Sequence, residues 1–227
     1  MKHSHDYFRD IAASYDSLVL RAVPRYEEMV DELVRCLPET ATSVLELGCG
    51  TGRLTALLLT HYSSAQITAV DAAPEMIDVA GEQVSRGSSA ASRVEFVVST
   101  FEEFSAPNGA YDLVTSNLSL HHIVEKAPFY SKLRKMIALG GLFVLGDELK
   151  AEAPRIDALN RGAWMEFSRQ PGHLTEEELS EILRHDAEFD HYETLGEQVR
   201  MLEAAGFDPV DCVWRWRNYA AFVAEAG

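Results

Sequence analysis

Nothing in this chain of 227 residues approaches the roughly 20 consecutive apolar residues that a membrane-spanning helix needs. The opening Met1-Lys2-His3-Ser4-His5-Asp6 is polar and has none of the apolar segment of a secretory leader, so no membrane association is expected. Cysteine is scarce. Cys36, Cys49 and Cys212 are odd in number and far apart, which argues against a disulfide framework or a paired-cysteine metal knuckle and fits a reducing cytoplasm. Basic residues are few as well: 20 Lys and Arg stand against 36 Asp and Glu, a formal net charge of −16. Such a field repels phosphate backbones, so direct nucleic-acid binding is not expected, and a neutral or cationic partner is favoured. Internal repeats and low-complexity linkers are missing too. With 47% hydrophobic and 25% charged residues the composition is globular, not disordered or collagen-like.

What is present is an alternation. Tyr26, Met29, Val30, Leu33, Val34 and Leu37 recur at helical spacing between Pro24 and Pro38. Strands follow at Val44–Leu47, Ile67–Asp71, Val94–Val98, Tyr111–Ser116 and Leu142–Gly146, with Leu139-Gly140-Gly141 read as the turn before the last. Helices separate them, one with Leu54, Leu57 and Leu58, one opened by Pro74, one with Phe129, Leu133, Met136 and Ile137 on a single face. Such alternation predicts an α/β fold with a doubly wound, mostly parallel sheet. After Glu148 the pattern breaks into a charged, helix-prone stretch, with Thr175 and Glu178 spaced as a capping box. A helix with Leu195, Val199 and Leu202 then stops at Gly206 and leads to an antiparallel hairpin, Val210–Trp216 and Tyr219–Val223, which brings the sheet to seven strands. The expected organisation is an N-terminal helical cap segment (1–40), a core (41–149), a helical cap insertion (150–192) and a terminal helix and hairpin that complete the core (193–227).

The richest local signal is Glu46-Leu47-Gly48-Cys49-Gly50-Thr51-Gly52-Arg53. A strand that runs into close-set glycines and then a helix lets backbone approach a ligand at the carboxyl end of a sheet. A dinucleotide fingerprint would need its third glycine at Arg53, and no P-loop lysine follows, so neither an NAD-linked nor an NTP-hydrolysing site is favoured. The stretch instead resembles the first motif of class I S-adenosylmethionine (SAM)-dependent methyltransferases, and residues 40–150 agree with that family in order and spacing. Asp71 ends the second strand where the family places the acid that holds both ribose hydroxyls, and a carboxylate can accept both bonds of a vicinal diol. Thr100-Phe101 falls where the adenine is held, with threonine in a place where aspartate is frequent. Asn117-Leu118 falls beside the methionine part, and His121-His122 follows in the familiar Leu-His-His form.

The resemblance therefore implies SAM as cofactor, bound by Tyr15, Glu46, Gly48, Cys49, Gly50, Gly52, Asp71, Ala72, Met76, Thr100, Phe101, Asn117 and Leu118. It implies methyl transfer to a small-molecule acceptor by in-line displacement, with orientation as the protein's main contribution. His121 and His122 are the candidate catalytic residues, one of them as general base, against a reading in which one ring packs on the fourth strand and the other is partly exposed. Arg21, Arg25, Glu148, Trp164 and Tyr192 are the candidate acceptor-binding residues from the cap.

Tyr15-Asp16, Arg21 to Tyr26 and Leu202 to Phe207 resemble the subgroup that contains carboxy-SAM synthase. That resemblance implies an alternative activity, carboxy-SAM formation, and a third reading is a SAM-binding protein without catalysis. The synthase places an arginine at the position of Met201; Arg200 is one residue off, about 100° around a helix. No metal is expected: the ligand types His185-Asp186 and Asp190-His191 match no zinc spacing and are read as a solvated acidic loop, and chelation at Met1-Lys2-His3 as incidental. Trp214, Trp216 and Tyr219 are read as cross-strand packing or a homodimer surface.

Overall fold

The structure, a computed structural model, describes residues 4–87 and 89–227. Three helices, α1 (Ser4–Ile11), α2 (Tyr15–Ala22) and α3 (Tyr26–Arg35), precede the first strand. The sheet comprises β1 (Ser43–Leu47), β2 (Gln66–Asp71), β3 (Val94–Val98), β4 (Tyr111–Asn117), β5 (Ile137–Glu148), β6 (Val210–Trp216) and β7 (Tyr219–Glu225). Between them lie α4 (Arg53–His61), α5 (Pro74–Gly87), α6 (Lys126–Met136), α7 (Pro154–Ser168), α8 (Glu176–Phe189) and α9 (Leu195–Ala204).

The strand order is β3-β2-β1-β4-β5-β7-β6. The first five run parallel, and β7 is antiparallel to both its neighbours. The chain order reverses between β1 and β4, the switch point where an open α/β sheet holds its ligand. Residues of β1 and β4 are buried on both faces, as helices on each side demand. Leu45, Val114, Phe143 and Phe222 pack toward Phe129, Leu133 and Phe207 on one side, while Val44, Leu113, Val144 and Ala221 pack toward Leu33, Leu54 and Leu58 on the other.

Two expected boundaries move. Leu139-Gly140-Gly141 is not a turn before a strand but lies within one long strand, β5. Tyr111 pairs with Ile137 and Leu113 with Leu142, so the intervening residues are extra and bulge out, with Gly140 at φ +74°. Ile137 therefore pairs in the sheet and does not continue α6, whose last residue is Met136.

The cap is held to itself by long-range polar contacts. Arg21 on α2 makes a bidentate pair with Glu178 on α8, at 2.9 and 2.7 Å, and also donates to the carbonyl of His173 at 2.7 Å. Trp164 on α7 donates its Nε1 hydrogen to the carbonyl of Ala22 at 2.9 Å. The Thr175–Glu178 capping box forms and starts α8, and a second one, Thr194 with Glu197, starts α9. Trp216 stacks on Tyr219 across the hairpin, and Trp214 donates to Glu28 of α3 at 3.0 Å, so these aromatics pack within the chain.

Candidate active site

Two cavities open at the carboxyl ends of the central strands. The larger, about 430 Å³, is built around the glycine turn after β1. It is lined by every residue named above for the cofactor except Gly52, which instead caps α4 at φ +85° and packs against Ala80 of α5. Gly48 has φ +70°, and a Cβ there would sit 2.3 Å from Ser119 Oγ, so only glycine lets the backbone take this path. Ser119 in turn meets Ser116 Oγ at 2.7 Å and donates to the carbonyl of Leu47 at 3.2 Å, which fastens the loop after β4 to the end of β1.

Two carboxylates shape this cavity. Asp71, at the end of β2, accepts the Gly50 amide and the Ala73 amide, each at 2.9 Å, which fixes it at the rim. Glu46 is 2% exposed, and its Oε2 accepts from Thr55 Oγ1 at 2.6 Å. Burial pushes the Glu46 carboxyl up to about 8, with the charge of Asp71 adding to the effect and the Thr55 bond opposing it. A buried acid of this kind is stabilised by a cation placed beside it.

The smaller cavity, about 150 Å³, lies under the cap. Glu148, Trp164 and Tyr192 line it, together with Tyr219 and Asn160. Arg21 and Arg25 do not: Arg21 is spent on Glu178, and Arg25 is an exposed partner of Glu28, both outside the two linings. Phe8, Tyr15, Leu118 and His122 line both cavities and form the partition. Leu118 holds φ +51°, a costly conformation for a leucine, and its amide donates to the carbonyl of Gly146 at 2.8 Å.

The expected solvated loop at His185 to His191 is corrected. His185 lies on α8 and is 7% exposed, and the chain then turns inward so that the Asp190 side chain is 8% exposed. The His191 amide donates to the carbonyl of His121 at 2.8 Å, and Lys126, itself buried, pairs with Glu193 at 2.6 Å. These ties draw the segment onto the Leu-His-His turn, something no local pattern signals.

Around that turn five histidine and aspartate side chains converge. His121 Nδ1 lies 2.5 Å from Asp147 Oδ1, an acid at the end of β5 that the sequence reading passed over. Its position beside Gly146, at the carboxyl end of a central strand, was the available signal. Burial acts against a charged ring at His121, but the Asp147 carboxylate outweighs it and raises the imidazole to about 9. His122 goes the other way: burial, reinforced by neighbouring His121, lowers it to about 4. Burial also lowers His185 and raises Glu148, the latter to about 8. For Asp190 burial is overcome by the imidazoles packed against it, His122 first among them at 2.8 Å, which hold its carboxyl well below the usual range.

Comparisons with known proteins bear on the family and the fold. Residues 44–141 match the model of a methyltransferase domain. A carboxy-S-adenosyl-L-methionine synthase of Campylobacter lari is 22% identical over 99% of this chain and 95% of its own length. A malonyl-[acyl-carrier protein] O-methyltransferase of Paenibacillus sp. is 32% identical over 60% of this chain and 50% of its own. Among solved structures, a SAM-dependent methyltransferase of Thermotoga maritima, described as a possible histamine N-methyltransferase, superposes with a TM-score of 0.67 at 14% identity, over 99% of this chain and 100% of that one. A Haemonchus contortus phosphoethanolamine N-methyltransferase with S-adenosylhomocysteine bound gives 0.65 at 17% identity, over 90% of this chain and 45% of that one.

Proposed function

We propose that this enzyme, whose residues 44–141 match a methyltransferase domain, passes a methyl group from SAM in the larger cavity to a small neutral or cationic acceptor in the smaller one. The observation that carries the reading is the shared partition: His122, Tyr15, Phe8 and Leu118 line both spaces, so donor and acceptor meet across a single layer of side chains. SAM supplies the reaction's activated methyl on a sulfonium. The chain's own residues supply binding and alignment. Asp71 would hold the ribose hydroxyls, Glu46 the ammonium, and Phe101 with Thr100 the adenine. The turn after β4, from Asn117 to Ser119, would carry the methionine part, and Tyr15 would close over it from α2.

On the acceptor side, Trp164, Tyr192 and Glu148 would fix the substrate, and His121 and His122, which line the same cavity, would stand at the reacting edge. Asp147 fixes the ring of His121 through Nδ1. The acidic charge and the enclosed cap cavity favour a small acceptor over nucleic acid, and three free cysteines favour a cytoplasmic setting. No helix among the described residues is long and apolar enough to cross a membrane.

Carboxy-SAM synthesis is the second reading, favoured by whole-length relatives such as that of Campylobacter lari. Against it, Arg200 is exposed on α9 beside Gly196 and lines neither cavity, while Met201 packs into the core. A binding-only role is disfavoured by the cavity that adjoins the donor site. Mass spectrometry of ligand released from the purified chain separates the readings. SAM or S-adenosylhomocysteine supports methyl transfer, carboxy-SAM supports the second reading, and neither would overturn both.

A further inference from the structure

The wall of the smaller cavity contains more unpartnered nitrogen and oxygen than packing accounts for. Both ring nitrogens of His122, both of His185 and Oδ1 of Asp190 are buried and make no hydrogen bond. A buried polar atom without a partner costs about 1–3 kcal/mol, so five gathered at one spot need an explanation. The atoms are nevertheless close together. Asp190 Oδ1 lies 2.8 Å from His122 Nδ1 and 3.6 Å from His185 Nε2, yet neither pair has the alignment of a hydrogen bond. One donor atom from each of His121, His122 and Asp190 lies within 4.8 Å of the other two.

The close approach of His122 and Asp190 is what ligands aimed at a common point produce. Two donors each about 2.0–2.2 Å from one ion, at tetrahedral or octahedral angles, stand roughly 2.8–3.5 Å apart. We propose that His121, His122 and Asp190, with His185 alongside, bind a divalent first-row transition-metal ion in the wall of the acceptor cavity. Two imidazoles and a carboxylate are a donor set for zinc, iron(II), cobalt(II) or nickel(II), not for calcium or magnesium.

The surroundings have the form of a metal centre's outer layer. With Nδ1 of His121 held by Asp147, Nε2 is the nitrogen left to coordinate, the carboxylate–histidine relay that orients metal-bound imidazoles. Tyr192 donates its hydroxyl to Asp190 Oδ2 at 2.9 Å, which leaves Oδ1 directed at the histidines. All four side chains line the smaller cavity, so an open coordination position would face the acceptor. An acceptor oxygen or nitrogen bound there would be held next to the donor cavity. This role rests on the methyltransferase reading; the metal site itself does not.

The test is a cobalt(II) titration of the chelator-treated full chain, followed by visible absorption. His3 and His5 are replaced by alanine throughout to remove the N-terminal donors. One saturating equivalent with d–d absorption is expected, weakened at least about tenfold by His122→Ala and by Asp190→Asn, and unchanged by His61→Ala on the exposed face of α4. A cooperative thermal unfolding transition, recorded on each sample, reports whether the variant is folded, and SAM affinity is measured on the parent. If a variant does not fold, the rise in melting temperature that zinc produces in the parent decides, since absence of any rise overturns the site. No saturable cobalt binding, or binding that survives both substitutions, overturns it as well. Loss of SAM binding in the parent would instead overturn the methyltransferase reading, so the two failures are distinguishable.

Discussion

Asp71 Oδ2 accepts the amide of Gly50 at 2.9 Å, so the acid at the end of β2 is tied to the middle of the turn that follows β1. One side chain thus braces the glycine turn and presents a carboxylate to the larger cavity. Removing it affects both.

Asp71→Ala should therefore lower SAM affinity by about two orders of magnitude or more, because hydrogen bonds to a charged group contribute about 1.5–3 kcal/mol each and two are lost. Isothermal calorimetry measures this directly. Unchanged affinity would show that Asp71 does not hold the ribose.

Gly48→Ala should cost both stability and cofactor binding. The added Cβ would lie 2.3 Å from Ser119 Oγ, at a φ of +70° that alanine avoids. Strain of about 1–3 kcal/mol corresponds to a melting temperature lower by roughly 2–12 °C in a chain of this size. Gly81→Ala on α5 is the control. Nothing lies within 4 Å of its Cβ position, and it should be neutral or stabilising by about 0.5–1 kcal/mol. Equal melting temperatures for the two variants would refute the close-packing account.

Much of this was legible in the chain because the signals are local. A strand that must be buried on both faces reads as Val44-Leu45-Glu46-Leu47, and glycines forced by close approach announce the turn that follows. The capping box at Thr175 is likewise local, since its two partners are three residues apart. The histidine cluster was not legible. His122 and Asp190 meet only because the segment after α8 is pinned to the turn after β4 by the His191 amide and by Lys126. Arg21 was misplaced for the same reason: its partner, Glu178, lies on a different helix far along the chain.

Proton release should accompany SAM binding near neutral pH. Glu46 has its folded-state value raised from 4.5 to about 8 by burial, so between these pH values the folded chain keeps a proton that the unfolded chain has lost. Stability contributed by this group therefore declines as pH rises through that window. A bound ammonium beside Glu46 favours the carboxylate, and the proton leaves on binding. Calorimetry at pH 7 in buffers of different ionisation heat should report release of up to one proton, absent in Glu46→Gln. A binding enthalpy independent of buffer would place the ammonium elsewhere.

The cap clasp should weaken in acid. The Arg21 hydrogen bonds lower Glu178 from 4.5 to about 2, against the opposing effect of burial, so its contribution is complete above about 4.5 and is lost as pH falls toward 2. A double-mutant cycle with Arg21→Ala and Glu178→Gln, read by melting temperature at pH 7, should give a coupling of about 0.2–1 kcal/mol. The coupling should fall progressively as pH drops from 4.5 toward 2. A coupling independent of pH would mean that the two side chains act through packing alone.

The strand that finishes the sheet comes after every residue of the larger cavity in chain order. β7 lies between β5 and β6, and it carries Tyr219 into the acceptor cavity, whereas the larger cavity draws only on residues 8–191. A chain emerging from the ribosome would own every residue of its cofactor site before it could close the sheet beside its acceptor site. Saturation of the growing chain with cofactor would then precede, and help guide, the seating of the final hairpin.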